Sequence, residues 1–333
     1  KTQKTQKTQK TQKIKPRERL NTQRTFPKSF DKIFTTISPN QTIKGPILNI
    51  QTSSFDKYAD TIIEMALKEA HKISKEYLVT KEYKKYYTMM LLSLVVPTHE
   101  SMILHFRQIK NAPLRCSDKK NNGETLLDQN ITKTNFMNAF RSKTKPFLVG
   151  CSELKSDQEL YQLIAGGADG SDIGIMQVST RWHYENYLET EKFRSVLDSL
   201  NYGINYLHDG FKRIARNANK YPCILKQNKT IDYHKLARAT WGGWYNGGQA
   251  KKACRFTDLN SKHINKDNLF NKNLKQMIKS GEGKPFGNII GKGPGKMLTF
   301  PISKKMEQII QEISKNILSG TNSRSSLKTL IGQ

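Results

Sequence analysis

The sequence predicts a mainly α-helical protein. Three observations carry that expectation. Apolar residues recur at helical spacing in several long stretches. The run MMLLSLVV at 89–96 is apolar on every side, as in a buried central helix. Strand patterns of period two are weak throughout.

Each element follows in order. Residues 1–13 read KTQKTQKTQKTQK, a cationic tract with nothing to bury, expected to be disordered. Residues 14–53 place Pro16, Pro27, Pro39 and Pro46 among polar neighbours and read as an extended lead-in. A first helix is expected from about Phe55 to Tyr77, with Tyr58, Ile62, Met65, Leu67, Ala70 and Ile73 on its apolar side and Ser54 or Asp56 as cap. A second begins near Thr80 and carries the apolar run. Pro97 disfavours helix at the residue before it and removes a donor, so Thr98–His99–Glu100–Ser101 is expected at the end of that helix or just past a kink.

Residues 107–160 are polar and hold two cysteines, a long stapled insertion, and 166–173 (GGADGSDI) form a glycine-rich loop. An amphipathic helix is expected from about Glu191 to Ala218, another through His234 to Thr240, and a last one over about 303–318, bearing Met306, Ile309, Ile310, Ile313 and Ile317. The basic stretch 281–295 reads as loop. The organisation expected is a basic tail (1–53), a central domain (54–280), and a glycine-rich loop with a C-terminal helix packing on it (281–333).

Charge narrows the partners. Of 333 residues, 56 are Lys or Arg and 28 are Asp or Glu, a net charge of +28. The first 30 residues hold ten basic residues and one acidic, so +9 lies there and +19 elsewhere. Such a field attracts polyanions: nucleic acid, an anionic membrane surface or a bacterial envelope. No apolar run approaches the ~20 residues that span a bilayer, so no membrane span is expected. The chain opens on Lys and shows no signal peptide, as expected of a processed form. Cys116, Cys151, Cys223 and Cys254 form no CxxC pair. Two disulfides in an oxidising compartment are expected, and of the three connectivities, local closure favours Cys116–Cys151 with Cys223–Cys254. A secreted or periplasmic location follows.

Chemistry gathers in three segments, Thr98–Ser101 (THES), Gly174–Ser179 (GIMQVS) and Ala239–Gly248 (ATWGGWYNGG). Glu100 follows an apolar helix, where desolvation and the helix dipole both disfavour its charge. The expectation is a carboxyl held protonated, fit to donate to a glycosidic oxygen. Gly174 permits close backbone approach, and the Gln177 amide offers a donor and an acceptor. Trp241, Trp244, Tyr245 and Asn246 lie among glycines, a pattern suited to stacking on sugar, with the Tyr245 hydroxyl within possible reach of Glu100.

In this order the three segments resemble the catalytic core of the goose-type lysozyme and soluble lytic transglycosylase superfamily. Its pattern is Glu–Ser, then Gly-x-Met-Gln, then Tyr-Asn-x-Gly at a helix end. Here these are Glu100–Ser101, Gly174–Ile175–Met176–Gln177 and Tyr245–Asn246–Gly247–Gly248. The string from Gln177 to His183 (QVSTRWH) looks closer to the goose-type lysozymes. The likeness covers roughly 55–260. It implies a lysozyme-like α-helical domain that cleaves the β-1,4 bond between N-acetylmuramic acid and N-acetylglucosamine. It makes Glu100 the general acid, and Ser101, Met176, Gln177, Tyr245 and Asn246 cleft residues, beside which Trp244 is expected to bind substrate through its aromatic face.

Two departures stand out. The segment between Ser101 and Gly174 is longer than in that superfamily, and Ser179 stands where goose-type enzymes carry a water-positioning aspartate. Asp169 and Asp172, in the glycine-rich loop, are the candidate second acids. With a carboxylate to hold water the product is a reducing sugar. Without one, the 6-hydroxyl of the substrate attacks and gives a 1,6-anhydro end. The same two acids could face an ammonium, which would favour N-deacetylated peptidoglycan.

The partners expected are peptidoglycan glycan strands and an anionic wall or envelope surface, met by a monomer. Neither cofactor nor metal is expected, since His99 and His105 lie six apart and do not form HExxH. A basic nucleic-acid-binding or wall-binding protein without catalysis is the alternative of another class.

Overall fold

The computed structural model describes residues 52–110, 160–164, 172–190, 192, 196–292, 297–300 and 302–323. The KTQ tract, the proline-containing lead-in, most of the insertion expected to be stapled, with Cys116 and Cys151 and the pairing expected of them, and Asp169 lie outside these residues.

The described residues are mainly helical. Helix α1 (Thr52–Ser74) runs into a single turn, α2 (Glu76–Val79), and then α3 (Tyr83–Ser101). Strand β1 (Phe106–Lys110) pairs antiparallel with β2 (Leu160–Ile164), with Phe106 opposite Ile164. A small hairpin follows, β3 (Asp172–Ile173) with β4 (Val178–Ser179), Asp172 opposite Ser179. Helices α4 (Val196–Arg216), α5 (Tyr233–Ala239) and α6 (Ile264–Ser280) come next, α5 continuing into a wide π-helical turn at Thr240–Tyr245. The hairpin of β5 (Ile290–Lys292) and β6 (Met297–Thr299) precedes the last helix, α7 (Lys304–Ser319).

Helix α3 is the centre. Every side chain from Tyr86 to Ser101 is buried, because α1, α4, α5, α6, α7 and β5 all pack against it. A helix surrounded in this way has no solvent face to mark with polar residues, hence the apolar run. Its neighbours are one-sided. Ala59, Ile62, Ile63, Ala66, Leu67 and Ala70 of α1 are buried, as are Leu200, Ile204, Leu207 and Phe211 of α4.

Thr98–Ser101 forms the end of α3, one of the two placements expected, and Pro97 lies inside the helix. Packing on all sides holds the helix together past the proline, as tertiary context overrides propensity. The helix stops after Ser101, where Met102 and Ile103 both take left-handed φ of 55° and 56°. Their N–H groups return to the last carbonyls, Met102 to Thr98 (3.1 Å) and Ile103 to Pro97 (2.9 Å). Left-handed backbone at a β-branched residue is strained, at about 1–3 kcal/mol, and Ile103 is held there by burial.

The expected loop at 281–295 contains β5, so it is partly strand. Cys223 and Cys254 form a disulfide with Cα atoms 5.7 Å apart. It ties the segment after α4 to the segment after the π-helical turn. Among the described residues no helix is long and apolar enough to cross a membrane.

Candidate active site

Glu100 lies in the last turn of α3 with 3% of its surface exposed. A buried carboxylate needs partners for both oxygens. Oε1 accepts from Trp241 Nε1 at 2.9 Å, and Oε2 accepts from the ammonium of Lys292 on β5. Trp241 is fixed from both sides: its ring stacks on Phe270 (centroids 4.1 Å, planes 6° apart) and meets the edge of His99 at 5.2 Å.

The charge state of Glu100 differs from the expectation. Burial pushes its titration up, but the Lys292 ammonium, with the bonds from Lys292 and Trp241, outweighs burial and holds the carboxyl below its ordinary value. The attraction of His99 adds to this only where that ring is charged, and burial pushes its titration down to about 4. At rest Glu100 is therefore a carboxylate. Sequence reading counted burial and missed the cation, because Lys292 lies 192 residues away in a stretch read as loop.

The second segment forms the connection between β3 and β4. Gly174 takes φ of +77° and Gln177 of +47°. The turn is closed by Gln177 N to Gly174 O at 3.0 Å and by the Gln177 side-chain Nε2 to the same carbonyl at 2.9 Å. That amide donor, expected to meet a sugar, thus serves the turn. Ser101 Oγ donates to Ile175 O at 2.7 Å, which ties the turn to the end of α3. His105 Nδ1 accepts from Ile175 N at 3.1 Å. Met176 is buried in the core.

The third segment closes the group. Tyr245 Oη donates to Met176 O at 2.5 Å, so its hydroxyl is bonded to the turn and not to Glu100 as expected. Burial first, then the charges of Glu100 and of Asp172 among others, push the Tyr245 phenol well above its ordinary value. Tyr245 thus lies within the field of both carboxylates. Asp172 is half-buried on β3.

Trp241 is buried and cannot stack on a ligand. Trp244 is half-buried; its Nε1 donates to Tyr206 O at 2.9 Å and the Arg213 guanidinium sits 4.9 Å from its ring centroid. Asn246 Oδ1 accepts from Arg255 at 2.9 Å, and the same guanidinium grips the buried Asp267 carboxylate at 2.8–3.2 Å.

Among the residues singled out from sequence, Ser101 and Tyr245 bond to the turn that carries Met176 and Gln177, Glu100 is bonded to Trp241 of the third segment, and Trp244 and Asn246 belong to that same segment. Lys292, Arg255 and Asn273 were missed. Asn273 on α6 donates to His99 Nδ1 (3.1 Å) and to Ile290 O (2.6 Å), and accepts from Ile290 N (2.9 Å), so it pins β5 beside Glu100. Among the described residues no cluster of three or more His, Cys, Asp or Glu could hold a metal ion.

No protein-family model, curated protein or solved structure matches the chain.

Proposed function

We propose that this chain is a lysozyme-like glycosidase that cleaves peptidoglycan, with Glu100 as general acid and base. One observation supports the reading above others. Three segments far apart in sequence, chosen for their chemistry, meet through direct hydrogen bonds around one buried carboxylate.

In the proposed reaction a protonated Glu100 gives its proton to the bridging oxygen. The bond from the muramic acid C1 to that oxygen breaks as the proton arrives, and positive charge spreads over C1 and the ring oxygen. Water then adds at C1 and its proton returns to Glu100. Asp172, whose charge reaches Tyr245 together with that of Glu100, is the group proposed to hold this water, which favours hydrolysis over a 1,6-anhydro product. The same carboxylate is proposed to favour strands bearing an ammonium in place of an acetamide. The net charge of +28 would hold the enzyme on an anionic wall, an attraction that weakens with salt. The proposed location is secreted or periplasmic.

The test is digestion of purified sacculi by the wild-type chain and by Glu100→Gln. The wild type is expected to release soluble muropeptides with reducing ends by mass spectrometry, and the variant to release none while keeping its circular dichroism. A folded Glu100→Gln chain that dissolves sacculi at the parent rate ends this reading.

A further inference from the structure

We infer that Lys292 is a specificity-determining residue that reads a carboxylate on the substrate, and that its transfer from Glu100 to that carboxylate prepares Glu100 to act as an acid. The inference rests on the glycosidase reading and names the substrate class within it.

The ion pair is open on one side. The side chain of Glu100 is 4% exposed and that of Lys292 is 32% exposed, so an arriving ligand meets the pair from the lysine side. The other partner of Glu100 cannot yield, since Trp241 is buried and stacked on Phe270. The backbone beneath Lys292 cannot yield either. Asn273 bonds both polar groups of Ile290. Gly291 is pressed so closely on α3 that a Cβ there would stand 2.3 Å from Thr98 O. The movable part is the four-carbon stem of Lys292.

While the pair holds, Glu100 is ionised and has no proton to give. A neutral sugar offers the ammonium nothing in exchange for the carboxylate. An anionic sugar does. When Lys292 turns to it, its ion pair with Glu100 is exchanged for one with the substrate, and Glu100 is left buried without that counter-charge. Burial then governs its titration, and it takes one proton from solvent. The other groups around Glu100 do not replace the cation. His99 on its own helix is neutral at pH 7, Trp241 is uncharged, and Tyr245 carries its proton.

Within peptidoglycan the carboxylate nearest the scissile bond is the lactyl group of muramic acid. It is free only where the stem peptide has been removed. The preferred substrate is therefore a peptide-stripped glycan strand, and hydrolysis of the lactyl amide is the class of reaction that must supply it.

Peptide-stripped strands are compared before and after their lactyl carboxylates are coupled to methylamine. The wild-type chain is expected to cut the free-acid strands at least ~10-fold faster, and Lys292→Met to bring the ratio near one. Independently of turnover, the Glu100 carboxyl is titrated by carbon NMR with the disaccharide N-acetylglucosaminyl-N-acetylmuramic acid and with its methylamide. The acid is expected to move the titration upward and the methylamide to leave it in place. Equal cutting of both strands by the wild type, an unchanged ratio in Lys292→Met, or equal shifts with both disaccharides overturns the inference alone. A wild-type chain that cuts neither these strands nor purified sacculi overturns the glycosidase reading, and one that cuts sacculi but neither strand overturns the inference alone.

Discussion

Trp241 donates its indole N–H to Glu100 from a position where it can do little else, buried and stacked flat on Phe270. The residue that seemed fit to stack on sugar is an orienting donor to the proposed acid. Trp241→Phe keeps the stack and removes the bond. A hydrogen bond to a charged acceptor is worth about 1.5–3 kcal/mol, so the variant should lose stability of that order in urea unfolding. Its Glu100 should also titrate higher, because one of the groups favouring the charged form is gone. The depressed titration of Glu100 contributes stability above its ordinary value of 4.5 that is lost as pH falls through the lower folded value. In Trp241→Phe that loss still begins near 4.5 but is smaller and is complete at a higher pH. Carbon NMR of labelled glutamate checks it, and an unchanged titration would mean the indole bond does not bear on the charge.

His99 gives a second pH dependence, with its own window. Burial pushes its titration from 6.5 down to about 4. Between these values the unfolded chain binds a proton that the folded chain refuses. Stability is therefore full above pH 6.5 and declines toward pH 4. The gap corresponds to about 3 kcal/mol from this ring alone. His234, also pushed down to about 4 by burial, works in the same direction. Replacing His99 with Asn, which does not titrate, should flatten the decline between pH 6.5 and 4 in urea melts. A variant with the same slope as the parent would place the acid sensitivity elsewhere.

The part of this arrangement legible in sequence was the part carried by local pattern. The apolar run at 89–96 announced a surrounded helix, and α3 is one. The spacing of Met306, Ile309, Ile310, Ile313 and Ile317 announced a helix with one buried side, and all five are buried on α7. Local closure anticipated the Cys223–Cys254 disulfide. What was not legible was carried by contacts between distant segments. Nothing near Lys292 signals that its ammonium meets a carboxylate 192 residues earlier. Pro97 leaves open whether Thr98–Ser101 ends the helix or follows a kink, and the elements packed around α3 are what carry the helix on to Ser101. The hydroxyl of Tyr245 could have bonded any acceptor, and its choice of Met176 O depends on where the turn after β3 lies.

Asn273 joins two of these distant parts, His99 on α3 and Ile290 on β5, with bonds of 2.6–3.1 Å. Asn273→Ala leaves two backbone groups of Ile290 and one ring nitrogen without those partners. Each lost bond of this kind is worth about 0.5–1.5 kcal/mol. The expected result is a hairpin released from α3 before the rest of the protein opens. Amide exchange at Ile290 and Lys292 should quicken far more than exchange along α1. Uniform quickening would mean that Asn273 supports global stability and not the hairpin in particular.

The disulfide closes a loop with a sequence separation of 31 residues. Chain entropy for a loop of that length gives about 4 kcal/mol, and measured values for native bridges cluster at about 2–4. Cys223→Ser with Cys254→Ser should lower the unfolding free energy by that amount. Arg255, adjacent to Cys254, should then hold Asn246 and Asp267 less well, and the Trp241 fluorescence should report looser packing at the site. A double variant as stable as the parent would mean that packing around the two segments, and not the disulfide, holds them together.

Gly174 begins the turn that carries the acceptors for Ser101 and Tyr245, and it is the position least able to change. Its φ of +77° disfavours any side chain. A Cβ there would stand 2.9 Å from Tyr187 Oη and 3.1 Å from His105 Cε1. Neither neighbour is free to retreat. Tyr187 Oη is bonded to Ser199 Oγ at 2.8 Å, and His105 Nδ1 to Ile175 N at 3.1 Å. Backbone strain and overpacking together should cost Gly174→Ala about 2–4 kcal/mol. The turn would relieve the clash by moving the Ile175 and Met176 carbonyls, so turnover of sacculi should fall by more than ~10-fold. The two sources of cost separate in a double-mutant cycle. Tyr187→Phe removes the oxygen that the new methyl would meet but leaves φ unchanged. If crowding dominates, Gly174→Ala costs markedly less in the Tyr187→Phe background; if backbone strain dominates, the cost is the same in both.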